Sequence, residues 1–96
     1  MPAQLIEYVY DGDKAAWREV VETFLAEIGA DPVLRDGLTY QVFVRPDGRA
    51  RLHVPHWRDE AVLAHLRGCD FFKTFSEAIQ GFAGDTLKVT KPTLGT

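Results

Sequence analysis

The sequence predicts an α+β fold in which four strands and two helices follow one another in the order βαββαβ. Two observations support this order. Four short segments are rich in β-branched and aromatic residues that alternate with polar ones. Two longer segments carry apolar residues at helical spacing, and the second of these is interrupted at Gly68. This is the split βαβ arrangement of ferredoxin-like domains, so we expect one antiparallel four-stranded sheet.

The first half of the chain begins with a predicted strand over residues 4–10. Asp13 is suited to cap the helix that follows over residues 14–28. We expect Gly29 to end this helix and Pro32 to prevent its continuation. The apolar residues of the helix fall on one stripe, which predicts a buried face: Trp17, Val20, Val21, Phe24, Leu25 and Ile28.

A hairpin is predicted in the middle of the chain. Its strands cover residues 37–45 and 49–57, and Pro46-Asp47-Gly48 lies between them. Proline presets the backbone of a turn, and glycine accepts a positive φ there. The two strands are therefore expected to be antiparallel neighbours.

The second helical segment is expected in two parts. Asp59 can cap a first part that ends at Gly68, and Asp70 can cap a second part rich in phenylalanine. A last strand is predicted over residues 86–91, and residues 93–96 are expected to form a loose tail.

The alternation of the strands predicts two different sheet faces. One parity is expected to lie under the helices: Ile6, Tyr8, Tyr10, Tyr40, Val42, Val44, Leu52, Val54, Leu87 and Val89. The other parity mixes apolar and polar residues and is expected to be bare: Leu5, Val9, Phe43 and Trp57 with Glu7, Gln41, Arg51 and His53. Apolar residues on a bare face indicate a partner, so we expect a two-fold homodimer through this open face.

Composition narrows the class of protein. The 96 residues predict a single domain over residues 1–96, and the net charge of −3 makes a nucleic-acid partner unexpected. A single cysteine, Cys69, allows no internal disulfide and suits a reducing compartment. No basic, apolar leader begins the sequence, and no apolar run is long enough for a bilayer. We expect a soluble cytoplasmic protein without a membrane partner.

Three segments carry a resemblance to a known family. They are Gly37-Leu38-Thr39-Tyr40, the run from Trp57 to His65, and Phe71-Phe72-Lys73-Thr74-Phe75. Together they resemble the antibiotic biosynthesis monooxygenase family of dimeric α+β barrels. The resemblance implies a homodimer with a pocket in each subunit, between the sheet and the helices. It also implies oxidation of polycyclic phenols or quinols by O₂ without a cofactor.

Some members of this family degrade haem instead. They resemble one another in an Asn on the first strand, a Trp late in the first part of the split helix, and a His in its second part. The matching positions here hold Tyr8, His65-Leu66 and Ser76. Haem degradation is therefore disfavoured, and we expect no cofactor.

The site residues expected from the resemblance are His65 and Tyr8 for catalysis, because a phenol needs a group that removes or orients its proton. A small aromatic ligand would contact Tyr40, His56, Trp57, Trp17, Phe71 and Phe75. Each residue also has a structural interpretation: His65 as a helix-end residue, the aromatics as core. No metal is expected, because His53 and His56 fall on opposite sheet faces, and Cys69 is interpreted as structural.

Two functions stay open from the sequence. The first is a cofactor-independent monooxygenase that acts with O₂ on a small aromatic phenol or quinol. The second is a non-catalytic dimeric ligand-binding or stress-related protein of the same fold. A partly polar pocket beneath the helices would favour the enzyme, and a core without a cavity would favour the second function.

Overall fold

A computed structural model describes residues 2–92, and the predicted tail at residues 93–96 lies outside the described residues. Four strands and four helices are arranged along the chain, with a short 3₁₀ turn at Gly84–Thr86 before the last strand. In order they are β1 (Leu5–Val9), α1 (Lys14–Ala30), α2 (Pro32–Gly37), β2 (Leu38–Val44), β3 (Ala50–Trp57), α3 (Glu60–Arg67), α4 (Asp70–Ala83) and β4 (Lys88–Thr90).

The strands form one antiparallel sheet in the order β2-β3-β1-β4. This order places the first strand beside the third and confirms the ferredoxin-like βαββαβ fold predicted from the sequence. The hairpin turns at Gly48, whose φ is 74°. The Asp47 carboxylate accepts hydrogen bonds from the Arg49 and Ala50 amides and fixes the return of the chain.

The helices begin where side chains satisfy their free amides. Asp13 caps α1, Asp31 caps α2 and Asp59 caps α3, each through carboxylate contacts with backbone N–H groups. The split between α3 and α4 lies at Gly68 and Cys69, as predicted. Within residues 2–92, none of the helices combines the length and the apolar character that a membrane span needs.

Two local expectations were wrong. The first helix continues through Gly29 to Ala30, because Asp31 rather than the glycine terminates it. Pro32 then starts the short helix α2, since proline fits a first helical turn, where its missing N–H costs nothing. Cys69, not Asp70, is the N-cap residue of α4, and its side chain makes no capping hydrogen bond.

The helices cover one face of the sheet, which we call the helix face; the other is the open face. The core lies between the helix face, α1 and α4, and Phe24 is 2% exposed at its centre. The Phe24 ring stacks on Phe75 of α4 at a centroid distance of 3.8 Å. Of the stripe predicted for α1, Leu25 is 37% exposed, and the buried positions are Trp17, Val21, Phe24 and Ile28.

The predicted parity of β3 was wrong, and this changes the site. Directly opposed residues of neighbouring strands share a face, and Tyr8 opposes Arg51 while Val42 opposes His53. Arg51 and His53 therefore lie on the helix face, together with Pro55 and Trp57. The residues of β3 on the open face are Leu52, Val54 and His56. A register displaced by one residue exchanges the two faces, which is what the sequence reading did.

Candidate functional site

A chain of hydrogen bonds runs through the buried space between the helix face and α1. Trp17 Nε1 donates to the Tyr8 hydroxyl at 2.7 Å. The Tyr8 hydroxyl lies 2.7 Å from His53 Nε2, and His53 Nδ1 lies 2.8 Å from the Tyr40 hydroxyl. Strands β1, β3 and β2 each contribute one ring, and α1 contributes the indole. The four side chains form one continuous polar path inside a core that is otherwise apolar except for Arg51.

The number of available hydrogens decides how this path is oriented. A neutral imidazole carries one N–H, and each tyrosine hydroxyl donates once. Tyr8 is 2% exposed, so an unpaired hydroxyl hydrogen at this position would be costly. We therefore assign the Tyr8 hydroxyl as the donor to His53 Nε2 and as the acceptor from Trp17. His53 Nδ1–H then donates to Tyr40. The Tyr40 hydroxyl hydrogen is left free, and Tyr40 is half-buried rather than sealed.

A buried cation, Arg51, lies next to Trp17 at the end of the path that is opposite Tyr40. Arg51 is 2% exposed, and its guanidinium carbon lies 4.4 Å from the centroid of the Trp17 ring. Arg51 NH1 donates to the Gly48 carbonyl oxygen at 2.9 Å, while its Nε finds no hydrogen-bond partner among the described residues. Within residues 2–92 no carboxylate pairs with Arg51, so its charge is felt by the neighbouring rings.

Burial keeps the three titratable rings of the path neutral near pH 7. Desolvation lowers the pKa of His53 to about 4. Burial raises the pKa of Tyr8 to about 12, against smaller lowering effects of the Trp17 hydrogen bond and of Arg51. Burial, followed by the influence of Tyr8, raises the pKa of Tyr40 far above its ordinary value. The path therefore consists of neutral dipoles rather than charges.

The path ends at a cleft between the helix face and α4. This cleft has a volume of about 190 Å³, and its polar lining consists of Tyr40 and His53 together with Gln4, Ser76 and Gln80. Its apolar wall is made by Ile6, Phe72, Phe75, Ile79, Leu87 and Val89. A second, wider cleft of about 600 Å³ adjoins it, shares Tyr40 and Phe72, and extends past Trp57 to α3. Tyr40 lines both clefts, so a flat ligand bound in either of them could contact its hydroxyl group.

The structure brings several of the predicted site residues together. Tyr40, Trp57 and Phe75 line the two clefts. Tyr8 and Trp17 do not line them and lie behind Tyr40, on the hydrogen-bonded path. Trp57 is 7% exposed, and its Nε1 has no hydrogen-bond partner among the described residues.

Three predicted site residues lie elsewhere. His65 is exposed on α3, where its Nε2 lies 2.8 Å from Asp31 Oδ2, because the polar side of α3 turns away from the sheet. His56 belongs to the open face, opposite Thr39, because the parity of β3 is the reverse of that predicted. Phe71 borders a groove between α1 and α4 on the outer side of the core.

His53 is the residue that the sequence reading missed, since it was assigned to the open face. The predicted loop, residues 46–48, is one residue shorter than the loop that the structure shows, and this difference changes the face. The loop of residues 46–49 makes the Arg45 amide donate to the Ala50 carbonyl, so Val44 and Arg51 become partners. Counting outward from that pair places His53 on the same face as Val42 and Tyr40. The geometry of the turn thus determines which face of the sheet His53 occupies, whereas the polarity of His53 alone suggests the wrong face.

Metal-ligating side chains approach one another at a separate place. Among residues 2–92, the ligand atoms of Asp31, His65 and Cys69 all lie within 4.8 Å of one another. This group lies at the junction of α1 and α2 with the break between α3 and α4, away from the path of His53.

No protein-family model matches this sequence, and no curated protein matches it. Solved structures, in contrast, share its fold over almost the whole chain. Rv0793 from Mycobacterium tuberculosis is 17% identical, with 100% of this chain and 97% of that chain covered and a TM-score of 0.75. SnoaB, a cofactor-independent oxygenase from Streptomyces nogalater, is 13% identical, with 99% and 93% covered and a TM-score of 0.75.

A protein from Nitrosomonas europaea named as a candidate antibiotic biosynthesis monooxygenase is also similar. It is 11% identical, with 100% of both chains covered and a TM-score of 0.77. At such identities the likeness concerns the fold. The chain has the α+β fold of these structures, one named as a candidate antibiotic biosynthesis monooxygenase and another as a cofactor-independent oxygenase, and this is the fold that the sequence resemblance predicts.

Proposed function

We propose that this protein is a cofactor-independent monooxygenase that acts with O₂ on a small aromatic phenol or quinol bound in the clefts beside Tyr40. The observation that carries the proposal is the hydrogen-bonded path from Trp17 through Tyr8 and His53 to Tyr40. The likeness in fold to SnoaB, which is described as a cofactor-independent oxygenase, supports the kind of reaction.

The path suits the stabilisation of an anionic oxygen. In the orientation that satisfies Tyr8, every donor points towards the cleft, and Tyr40 has the free hydroxyl hydrogen. Aligned hydrogen bonds polarise one another, and the buried charge of Arg51 lies at the far end. A phenolate oxygen placed at Tyr40 would therefore meet a strengthened, preorganised donor.

His53 serves this role better as a donor than as a base. Its pKa is lowered to about 4, so the imidazole is neutral near pH 7 and binds a proton weakly. We therefore assign the ionisation of the phenol to proton loss into water from the open side of the cleft. Tyr40, held by His53, then favours the phenolate over the phenol.

The overall reaction balances without a cofactor. A substrate of the anthrone type loses one proton of its ring CH₂ group to solvent and becomes a phenolate that is electron-rich at the remaining CH carbon. That carbon transfers electrons to O₂, takes up one oxygen atom and becomes C=O, while the second oxygen leaves as water with the CH hydrogen and one proton taken back from solvent. The substrate supplies all four electrons, so the protein needs to bind, orient and stabilise the anion.

Oxygen uptake tests this proposal. A panel of anthrones, quinols and flavonols is offered in air without added cofactor, and uptake is compared between the wild type and Tyr40→Phe. Removal of a donor to a developing oxyanion costs about 100-fold or more in turnover, so Tyr40→Phe should lose nearly all uptake. The proposal is wrong if Tyr40→Phe retains wild-type uptake, or if the panel is consumed no faster than in buffer.

Tyr10→Phe is the matched control. Tyr10 follows directly after β1, and its hydroxyl donates to the Asp13 carbonyl oxygen near the surface rather than to a member of the path. Tyr10→Phe is the same chemical change outside the path, so its uptake should equal that of the wild type. A loss in both variants would indicate a general effect on folding and not a role for the Tyr40 hydroxyl.

One observation favours the second function, that of a non-catalytic ligand-binding protein. The cleft at Tyr40 and His53 is only about 190 Å³, which is below the usual range of about 300–1,000 Å³ for ligand pockets. A phenolate could then bind at its mouth without reacting. Anaerobic titration of the same panel by fluorescence separates the functions, because binding without aerobic uptake would support the second one.

We also propose a homodimer through the open face and a cytoplasmic location. Phe43 is 48% exposed on this face, and Leu52 and Val54 lie beside it on the neighbouring strand. A second copy would cover these residues by two-fold packing of sheet on sheet. The lone cysteine suits the reducing cytoplasm.

A further inference from the structure

The cluster of Asp31, His65 and Cys69 combines three kinds of metal ligand from three parts of the chain. Asp31 lies between α1 and α2, His65 lies in the last turn of α3, and Cys69 precedes α4. Their ligand atoms lie within 4.8 Å of one another, and His65 Nε2 is 2.8 Å from Asp31 Oδ2. A carboxylate, an imidazole and a thiolate are all ligands that zinc prefers.

The spacing fits a tetrahedral ion after a small adjustment. Zinc bonds of about 2.0–2.3 Å place neighbouring ligand atoms about 3.3–3.6 Å apart. His65 Nε2 and Asp31 Oδ2 now share a hydrogen, and an ion that replaced this hydrogen would move them apart by about 0.5 Å. Cys69 Sγ would turn from the His65 carbonyl oxygen, 3.3 Å away, towards the same point.

The carboxylate is held in position before any ion arrives. Asp31 Oδ1 accepts hydrogen bonds from the Val33 amide at 3.0 Å and the Leu34 amide at 3.2 Å. These bonds leave Oδ2 directed at His65. Support of this kind from neighbouring groups orients metal ligands and strengthens binding.

We propose that Asp31, His65 and Cys69 bind one Zn²⁺ ion, with water as the fourth ligand. Binding releases the Cys69 thiol proton to solvent and places the remaining imidazole proton of His65 on Nδ1. The carboxylate and the thiolate together carry two negative charges, which neutralise those of the ion. No redox change occurs, because zinc has no accessible second oxidation state.

Such an ion would join the corner between α1 and α2 to the break between α3 and α4. Residues of α3, among them Leu63 and Leu66, line the wider cleft beside Tyr40. Zinc would therefore restrain the segment that covers the proposed substrate site. This role does not depend on the oxygenase reaction, since it can be measured on the protein without substrate.

Cobalt substitution tests the site. Reduced protein, free of affinity tags, is titrated with Co²⁺, whose bond to a thiolate gives a sulfur-to-metal charge-transfer band in the near-ultraviolet. We expect saturation at one equivalent, visible bands of tetrahedral cobalt, and displacement by Zn²⁺. Zinc should also raise the melting temperature of the wild type. Absence of the charge-transfer band overturns the proposal.

The variants His65→Ala and Asp31→Asn show whether the three side chains bind the ion together or whether the thiol binds it alone. Loss of either ligand should weaken Co²⁺ binding by about 100-fold or more and abolish the zinc-dependent melting shift. Asparagine retains a side-chain oxygen for the cap of α2, so Asp31→Asn should stay folded. Cys69→Ser should lose the band while keeping a good N-cap residue.

His56→Ala is the matched histidine control. His56 lies on the open face of the sheet, and its replacement should leave cobalt affinity unchanged. If His65→Ala and Asp31→Asn bind Co²⁺ as tightly as His56→Ala does, the metal is held by the thiol alone and the proposed three-ligand site is wrong.

Discussion

Strand β3 presents different chemistry to the two faces of the sheet. On the helix face, Arg51 and His53 are 2% and 0% exposed, although both are polar. On the open face, the apolar residues Leu52 and Val54 remain half-buried. The usual arrangement of a half-covered strand, apolar inside and polar outside, is therefore reversed over residues 51–54.

This reversal marks the part of the molecule where function is expected. Proteins break local folding rules mainly where a site requires it, and a buried polar path is stable only when its members are bonded. Tyr8, His53 and Tyr40 satisfy one another on the helix face. On the open face, the apolar residues need a partner instead. The comparison thus supports the proposed ligand site on the helix face and the proposed dimer interface on the open face.

The largest expected effect is that of Arg51→Glu. A carboxylate at this buried position would replace the cation beside Trp17 and stand near the Tyr8 hydroxyl, without a positive partner. We expect a loss of about 5 kcal/mol in the free energy of unfolding, enough to unfold much of the protein. Urea denaturation followed by circular dichroism measures it.

Val54→Glu is the control on the opposite face of the same strand. Val54 opposes Gln41 and is half-buried, so the change should cost about 1 kcal/mol in the isolated chain. Equal losses in Arg51→Glu and Val54→Glu would contradict the assignment of the two faces. The sequence alone places Arg51 on the open face, where Arg51→Glu is expected to weaken dimerisation if that face is the interface.

An intermediate effect is expected from acid. The pKa of His53 is lowered from 6.5 to about 4 by burial, so the unfolded chain binds the proton more readily than the folded one. The stability due to neutral His53 is complete above pH 6.5 and is lost as the pH falls towards 4. The shift corresponds to about 3 kcal/mol over this range.

The variant His53→Gln isolates this contribution, because glutamine can donate and accept hydrogen bonds without titrating. Its unfolding free energy should be nearly constant between pH 6.5 and 4.5, where that of the wild type falls. Hydrogen bonds lower the pKa values of Asp31, Asp47 and Asp59, so these carboxylates lose their contribution only below about pH 4. Parallel curves for wild type and variant would show that His53 is not held neutral.

Much of the fold could be predicted from local signals, whereas the site could not. The stripe of α1, the Asp59 cap and the turn at Gly48 each act within a few residues, so the sequence shows them directly. The position of His53 depends on register, which is a relation between strands. The pairing of His65 with Asp31 depends on how α2 and α3 pack, and no periodicity encodes it.

The smallest effect on folding, and a large one on association, is expected from Phe43→Glu. Phe43 is 48% exposed at the open face, so the isolated chain should change by less than about 0.5 kcal/mol. In the proposed dimer the same carboxylate would be buried against the partner's sheet. Sedimentation velocity at low micromolar concentration should show a dimer for the wild type and a monomer for the variant.

Val33→Glu provides the comparison, because Val33 is 40% exposed but lies on α2, away from the sheet. It introduces the same charge at similar exposure and should sediment as the wild type does. If the wild type is monomeric, or if both variants dissociate alike, the open face is not the interface, and its apolar residues require another explanation. If only Phe43→Glu dissociates, association explains why β3 places apolar residues on the open face. The hydrogen-bonded path to Tyr40 explains why the same strand places polar residues on the helix face.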